Sequence, residues 1–260
     1  LPNVGKSTLF NALTRTASAQ AANFPFCTID PNIGEVSVPD KRLNVLAEIA
    51  KSRNVIPTRM TFVDIAGLVK GASKGEGLGN QFLGNIRECD AIAHVLRCFD
   101  DDDVTHVEGR VDPIDDVEII ETELMLADLE NINKRLKNLE RKLKAFDKDS
   151  LRQAELLDLA KQTLESGIPT REIKLDKEQV KPFKSLQLLS SKPLLFVCNV
   201  DESSAVKGNK YSALVEKMVE RSNTSSIIIS AAIEEEISQL TENDDIELFL
   251  KEMGLDEAGL

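Results

Sequence analysis

Asn3-Val4-Gly5-Lys6-Ser7-Thr8, running on into Leu9-Phe10-Asn11-Ala12-Leu13, is the stretch that decides the fold. A loop of the form G-x-x-x-x-G-K-[ST] wraps phosphates in successive backbone N–H groups at the start of a helix. Leu1-Pro2-Asn3-Val4-Gly5-Lys6-Ser7 supplies all of this pattern except its first glycine. That glycine would fall one residue before Leu1, with an apolar strand ahead of it. On this reading the first strand of the sheet is missing from the sequence. Asn3, Val4, Gly5, Lys6, Ser7 and Thr8 are the candidate phosphate-binding residues, with Lys6 acting on the reacting phosphate as well. Gly-Lys-Ser alone is a weak signal, so its partners must carry the argument.

The first partner is Met60-Thr61-Phe62-Val63-Asp64-Ile65-Ala66-Gly67, an apolar strand ending in D-x-x-G. After a phosphate loop, such an Asp supports a Mg2+ shell and the Gly N–H meets the γ-phosphate. Asp64 is therefore a candidate metal residue and Gly67 a candidate catalytic one. Gly71, Gly75, Gly77 and Gly79 follow, which suits a switch that reorders with nucleotide state. Thr28, in Phe24-Pro25-Phe26-Cys27-Thr28, lies between the loop helix and the next strand, where a first switch presents a hydroxyl to Mg2+. Ser7 and Thr28 complete the expected metal set. Many such hydrolases orient water with a Gln just after D-x-x-G, but Leu68 stands there, so basal hydrolysis should be slow. Of the two histidines, His94 lies inside an apolar run and reads as core. His106 lies in a polar stretch at a strand's carboxyl end, where open α/β sheets bind ligands. It is the candidate for positioning water, with an ordinary loop histidine as the equal alternative.

Base recognition points the same way. Asn199-Val200-Asp201-Glu202 follows an apolar strand where GTPases usually carry N-K-x-D. The Lys is absent, and Glu202 stands in place of the Asp that pairs with guanine. Spoiling such a bidentate contact costs roughly 1–3 kcal/mol. An amide such as that of Asn199 can answer the donor and the acceptor of adenine. Together with Ser230 and Ala231 at the end of the last strand, these residues are the candidate base pocket, and ATP is expected over GTP.

The remainder fits a nucleotide switch. Apolar runs at 60–64, 91–99, 193–200 and 225–230, with an alternating segment at 35–38, read as five strands. Helical stretches between them favour right-handed crossovers and a mostly parallel, doubly wound α/β sheet. Met125, Leu129, Ile132, Leu136, Leu139, Leu143 and Phe146 form a heptad stripe. A polar break at 147–150 and a second stripe of Leu151, Ala154, Leu157, Ala160 and Leu164 follow, which makes an inserted helical coiled-coil hairpin the economical reading; two ordinary surface helices are the alternative. The expected organisation is a G domain at 1–117 and 191–260, interrupted by the hairpin at 118–190. Lys134, Arg135, Lys137, Arg141, Lys142, Lys144, Lys148 and Arg152 cluster near the hairpin tip, either as a solvated coiled-coil face or as an RNA contact. The net charge of -12 argues against coating nucleic acid through the overall field, and DNA is not expected as a partner. Four scattered cysteines without a CxxC pair, no signal peptide and no membrane-length apolar run suggest a cytoplasmic protein with free thiols.

The phosphate loop, Asn23-Phe24-Pro25-Phe26-Cys27-Thr28-Ile29, Asp64-Ile65-Ala66-Gly67-Leu68-Val69-Lys70-Gly71-Ala72 and Asn199-Val200-Asp201-Glu202 together resemble the YchF family, the Obg-like ATPases. The resemblance covers essentially the whole chain, hairpin included. It implies a P-loop NTPase G domain that prefers ATP, depends on Mg2+ and associates with ribosomes, the large subunit being the expected one. It implies that Lys6 contacts phosphate, that Ser7 and Thr28 ligate Mg2+ and that Asn199 and Val200 line the adenine pocket. It also implies a C-terminal ubiquitin-like TGS domain, which would begin near Leu260 and is not expected within this sequence. Two other readings stay open: a nucleotide-dependent binding module with incidental hydrolysis, and a GTPase of the Obg or Era type.

Overall fold

The computed structural model describes residues 3–14, 32–65, 67, 78–101, 110–144, 147–220, 222, 224–240, 243–255 and 259. Cys27, Thr28, Leu68 and His106 lie outside them. In chain order the elements are α1 (Lys6–Thr14), β1 (Asn32–Ser37), α2 (Lys41–Ala50), β2 (Arg59–Asp64), α3 (Leu78–Glu88) and β3 (Ile92–Arg97). These are followed by α4 (Pro113–Lys144), α5 (Lys148–Glu165), α6 (Lys177–Lys184), β4 (Leu194–Asn199), α7 (Lys210–Val219), β5 (Ser225–Ile229), α8 (Ala231–Gln239) and α9 (Asn243–Met253).

Strands β3, β4 and β5 pair in parallel in that order, Val95 opposite Val197 and Cys198 opposite Ile228. The period of two in a strand sorts their side chains onto two faces. One face, with Leu96, Cys98, Phe196, Cys198 and Val200, packs against Val117 of α4 and Val215 and Val219 of α7. The other, with Val95, Val197 and Ile229, packs against Val4, Leu9 of α1 and Ala231 of α8. Helices on both faces explain why these strands read as nearly unbroken apolar runs. Strands β1 and β2 pair antiparallel, Asn32 opposite Asp64, and among the described residues no ladder joins β2 to β3. Gly34 of β1 lets α1 lie close, since a Cβ there would stand 2.2 Å from the Thr14 methyl. The sheet is thus α/β and mostly parallel, as the strand pattern predicts.

From Met125 to Leu139 the heptad stripe is packed; Phe146 and the Leu143 side chain lie outside the described residues, and Leu151 of the second stripe is exposed. Ile132 and Leu139 of α4 meet Leu156, Leu157, Ala160 and Leu164 of α5, with Met125, Leu129 and Leu136 beside them. Helix α5 begins at Lys148 rather than after the whole 147–150 break, because the Asp147 carboxylate accepts from the Ser150 N–H at 3.0 Å and caps the first turn. Helix α4 has no break near residue 118: Val117 lies in the sheet core and Ile132 in the hairpin core of one continuous helix. Arg135 is not part of an open basic tip, since its guanidinium donates to the Leu186 carbonyl at 2.9 Å. The base of the hairpin is tied by Asp128, fully buried, which accepts from Leu189 N–H, Ser190 N–H and Ser190 Oγ at 2.9, 2.8 and 2.7 Å. Burial pushes its carboxyl above the ordinary range, partly offset by those donors. Arg171 and Glu121, 2.5 Å apart and both mostly buried, add a second tie. Among the described residues no helix is long and apolar enough to cross a membrane.

Two expectations follow. Asp128→Ala strands three donors and should lower unfolding free energy by about 2–4 kcal/mol in urea, with Asp128→Asn losing less. His94 is buried against the Phe196 ring, with Nε2 unpartnered, and burial pushes its imidazole down to about 3 from 6.5. Below pH 6.5 the unfolded chain therefore takes up a proton that the folded chain refuses, so stability falls with pH until about 3. Between pH 7.5 and 5 that group should cost about 2 kcal/mol, and His94→Leu should remove this part of the acid sensitivity.

Candidate functional site

The phosphate loop turns through two left-handed residues, Asn3 at φ 61° and Gly5 at φ 84°, before α1 starts at Lys6. The first helical bond runs from Leu9 N–H to the Gly5 carbonyl at 3.0 Å, leaving the earlier N–H groups of the helix start for an anion. At Gly5 the requirement is steric as well as conformational: a Cβ there would stand 2.2 Å from Asn199 Nδ2.

Asp64, the last residue of β2, lies beside this helix start and is buried. The Lys6 ammonium pairs with Asp64 Oδ1, and Ser7 Oγ donates to Asp64 Oδ2 at 3.1 Å. Lys6 and Ser7, read from one motif, therefore meet Asp64, read from another and 58 and 57 positions away in the chain. A carboxylate and a hydroxyl beside a helix N-terminus are hard oxygen donors of the kind Mg2+ takes, so the residues present fit that ion. Lys6 stays about 29% exposed on its side chain, open toward solvent where a phosphate would arrive.

Asn199 sits differently from the expectation for it. Its Nδ2 donates to the Val4 carbonyl at 3.0 Å and its Oδ1 accepts from Ala231 N–H at 2.9 Å, with the residue 5% exposed. Both ends of the amide are thus engaged within the protein, joining the phosphate loop to α8 rather than waiting for adenine. Val200 is 2% exposed and packs with Leu96 and Val215 in the sheet core, so its side chain is not a pocket wall here. Its N–H donates to the Ile229 carbonyl at 2.9 Å. Asp201 caps the short turn at Glu202–Ser204, accepting from Ser204 N–H at 3.1 Å and from Ser203 Oγ at 2.5 Å, and the Ser203 hydroxyl chiefly holds its carboxyl below the usual range. Glu202 is exposed on that turn. Ser230 and Ala231 are each 3% exposed at the start of α8, and Ser230 Oγ is buried with no partner. Gly67 is half-buried beyond the end of β2.

One residue of this edge escaped the sequence reading. Arg97, the last residue of β3 and the register partner of Asn199, is 2% exposed. Its guanidinium donates to the Phe99 and Asp101 carbonyls, both at 3.1 Å, and lies 4.8 Å from the centre of the Phe99 ring. The available signal was a lone charge inside an otherwise apolar run.

A family model described as a 50S ribosome-binding GTPase matches residues 1–145. The Bacillus subtilis "Ribosome-binding ATPase YchF" is 50% identical over 262 residues, covering 100% of this chain and 71% of that protein. Its Escherichia coli O157:H7 counterpart, of the same name, is 48% identical over 260 residues with the same coverage. The solved structure of the Schizosaccharomyces pombe YchF GTPase superposes with a TM-score of 0.79 at 37% identity, covering 100% of this chain and 71% of that one. With the phosphate loop, the D-x-x-G aspartate and the helical hairpin placed as described, the chain belongs to the YchF family of P-loop nucleotide hydrolases.

Proposed function

We propose that this chain binds and hydrolyses ATP with Mg2+ and works as a nucleotide-dependent switch on ribosomes. The observation that supports this best is the meeting of Lys6, Ser7 and Asp64 at the N-terminus of α1. Without nucleotide, the Lys6 charge rests on Asp64. Triphosphate offers the ammonium a stronger, multiply charged partner, while the free N–H groups of the helix start receive the phosphate oxygens. Ser7 and Asp64 would then hold Mg2+, with Thr28 as a further ligand, and the ion would offset the negative charge of the phosphates. Gly67 is the residue proposed to offer its N–H to the γ-phosphate, and His106 the one proposed to position water where Leu68 stands in place of the usual Gln.

The preference for ATP rests on Glu202 and on the missing Lys of the base loop. Asn199 fixes the phosphate loop to the start of α8, and Ser230 and Ala231 are the proposed border of the base pocket beside it. The relatives' names divide between ATPase and GTPase, so the nucleotide is the point to test. Titrating ATP and GTP in parallel, with and without Mg2+, should show at least tenfold tighter binding of ATP and loss of most affinity when Mg2+ is withdrawn. Tighter GTP binding would reject the preference, and Mg2+-independent binding would reject the metal role.

For the ribosome, the hairpin tip is the proposed RNA contact. Reversing the charges of Lys142, Lys144 and Lys148 should weaken binding to ribosomes and flatten its dependence on salt, because fewer counterions are released from RNA. Unchanged binding would place the contact elsewhere.

A further inference from the structure

We propose that Arg97 is a positioning residue for nucleotide recognition, fixing residues 99–101 as a rigid wall beside the base loop. The inference rests on the reading that ATP binds at the carboxyl edge of the sheet, where open α/β sheets hold their ligands.

Three observations carry it. The first is face. Arg97 alternates with Val95, and Val95 packs with Val4 of the phosphate loop. Arg97 and its register partner Asn199 therefore stand side by side on the phosphate-loop face. The second is the binding of the guanidinium. Bonds from one side chain to the carbonyls two and four residues ahead bend the chain back over the strand end. A planar fork can hold two carbonyls at once, and an ammonium cannot reproduce that geometry.

The third observation is a set of tethers from the start of α7 on Cys98 and Asp100. Asn209, which caps α7, donates to the Cys98 carbonyl at 2.6 Å. The Tyr211 hydroxyl donates to Asp100 Oδ1 at 2.6 Å, and Lys210 lies 3.3 Å from Asp100 Oδ2. Cys98 N–H donates to the Asn199 carbonyl at 2.8 Å, which carries the β3–β4 ladder one step past the strands. So residues 98–101 are held from below by Arg97, from the side by β4 and from outside by α7. Cys98 bonds to Asn199 and packs with Val200, so the segment leaves the sheet beside the residues that open the 200–202 turn, and Arg97 fixes the path it takes there. A wall in that place constrains a base and not a bare phosphate chain.

The test compares ATP with inorganic tripolyphosphate, both with Mg2+, as ligands of the whole protein carrying Arg97→Lys or Tyr211→Phe. Titration calorimetry should show ATP weakened about tenfold by Arg97→Lys and about threefold by Tyr211→Phe, with tripolyphosphate unchanged in both. Tyr211→Phe removes only an exposed hydroxyl tether, so it remains informative if Arg97→Lys does not fold. Wild-type ATP affinity in Tyr211→Phe, or in a folded Arg97→Lys, would overturn the proposal. Equal weakening of ATP and tripolyphosphate would also overturn it, because that pattern means general damage to the phosphate loop. If the wild-type protein binds ATP no better than tripolyphosphate, the reading of an ATP pocket fails, and the wall fails with it.

Discussion

The amide of Asn199 reaches the Val4 carbonyl on one side and the Ala231 N–H on the other, and both contacts are buried. Much of the remaining architecture hangs on that bridge. It joins the phosphate loop, 195 residues earlier in the chain, to the end of β4 and the start of α8. A side-chain amide suits the place because it carries a donor and an acceptor in one rigid plane. The bridge also explains the demand on Gly5, whose missing Cβ is the space that the Asn199 amide occupies. The phosphate loop is thus held by the sheet beneath it, and Lys6 and Ser7 are left to reach across to Asp64.

Where recognition depended on contiguous residues, the sequence was easy to read. Gly-Lys-Ser, D-x-x-G and the heptad stripe each express local geometry, and the chain cannot make those structures without writing them in order. The strands were legible because burial on both faces leaves unbroken apolar runs. His94 followed from the same pattern: a histidine within such a run is packed in the core, and it lies against Phe196.

The roles that stayed hidden depend on partners far away in sequence. Nothing beside Asn199 announces Val4 or Ala231, so its amide looked available to a base. Val200 reads as a pocket residue when the motif is considered alone, but the alternation of β4 turns it toward α7. Asp128 looks like an ordinary helix-surface acid until residues 189–190 arrive on top of it. Arg135 joins a basic row on paper and a carbonyl 51 residues away in space. Helix α2 carries Leu43, Leu46, Ala47 and Ala50 at helical spacing, yet none of its residues is buried. Its start is set by Asp40, whose carboxylate accepts from Arg42 N–H at 2.9 Å.

Helix α4 is unbroken over 32 residues, with one end bedded on the sheet and the other in the hairpin. At 1.5 Å per residue it is a rod about 48 Å long. Such a rod converts angle into distance. A tilt of about 5° about Asp128, roughly 24 Å from the far end, carries that end about 2 Å. The ties through Asp128 and Arg171 fix the fulcrum near the base of the hairpin, so small rearrangements beside the phosphates need no large motion of the domain to be legible at its outermost point.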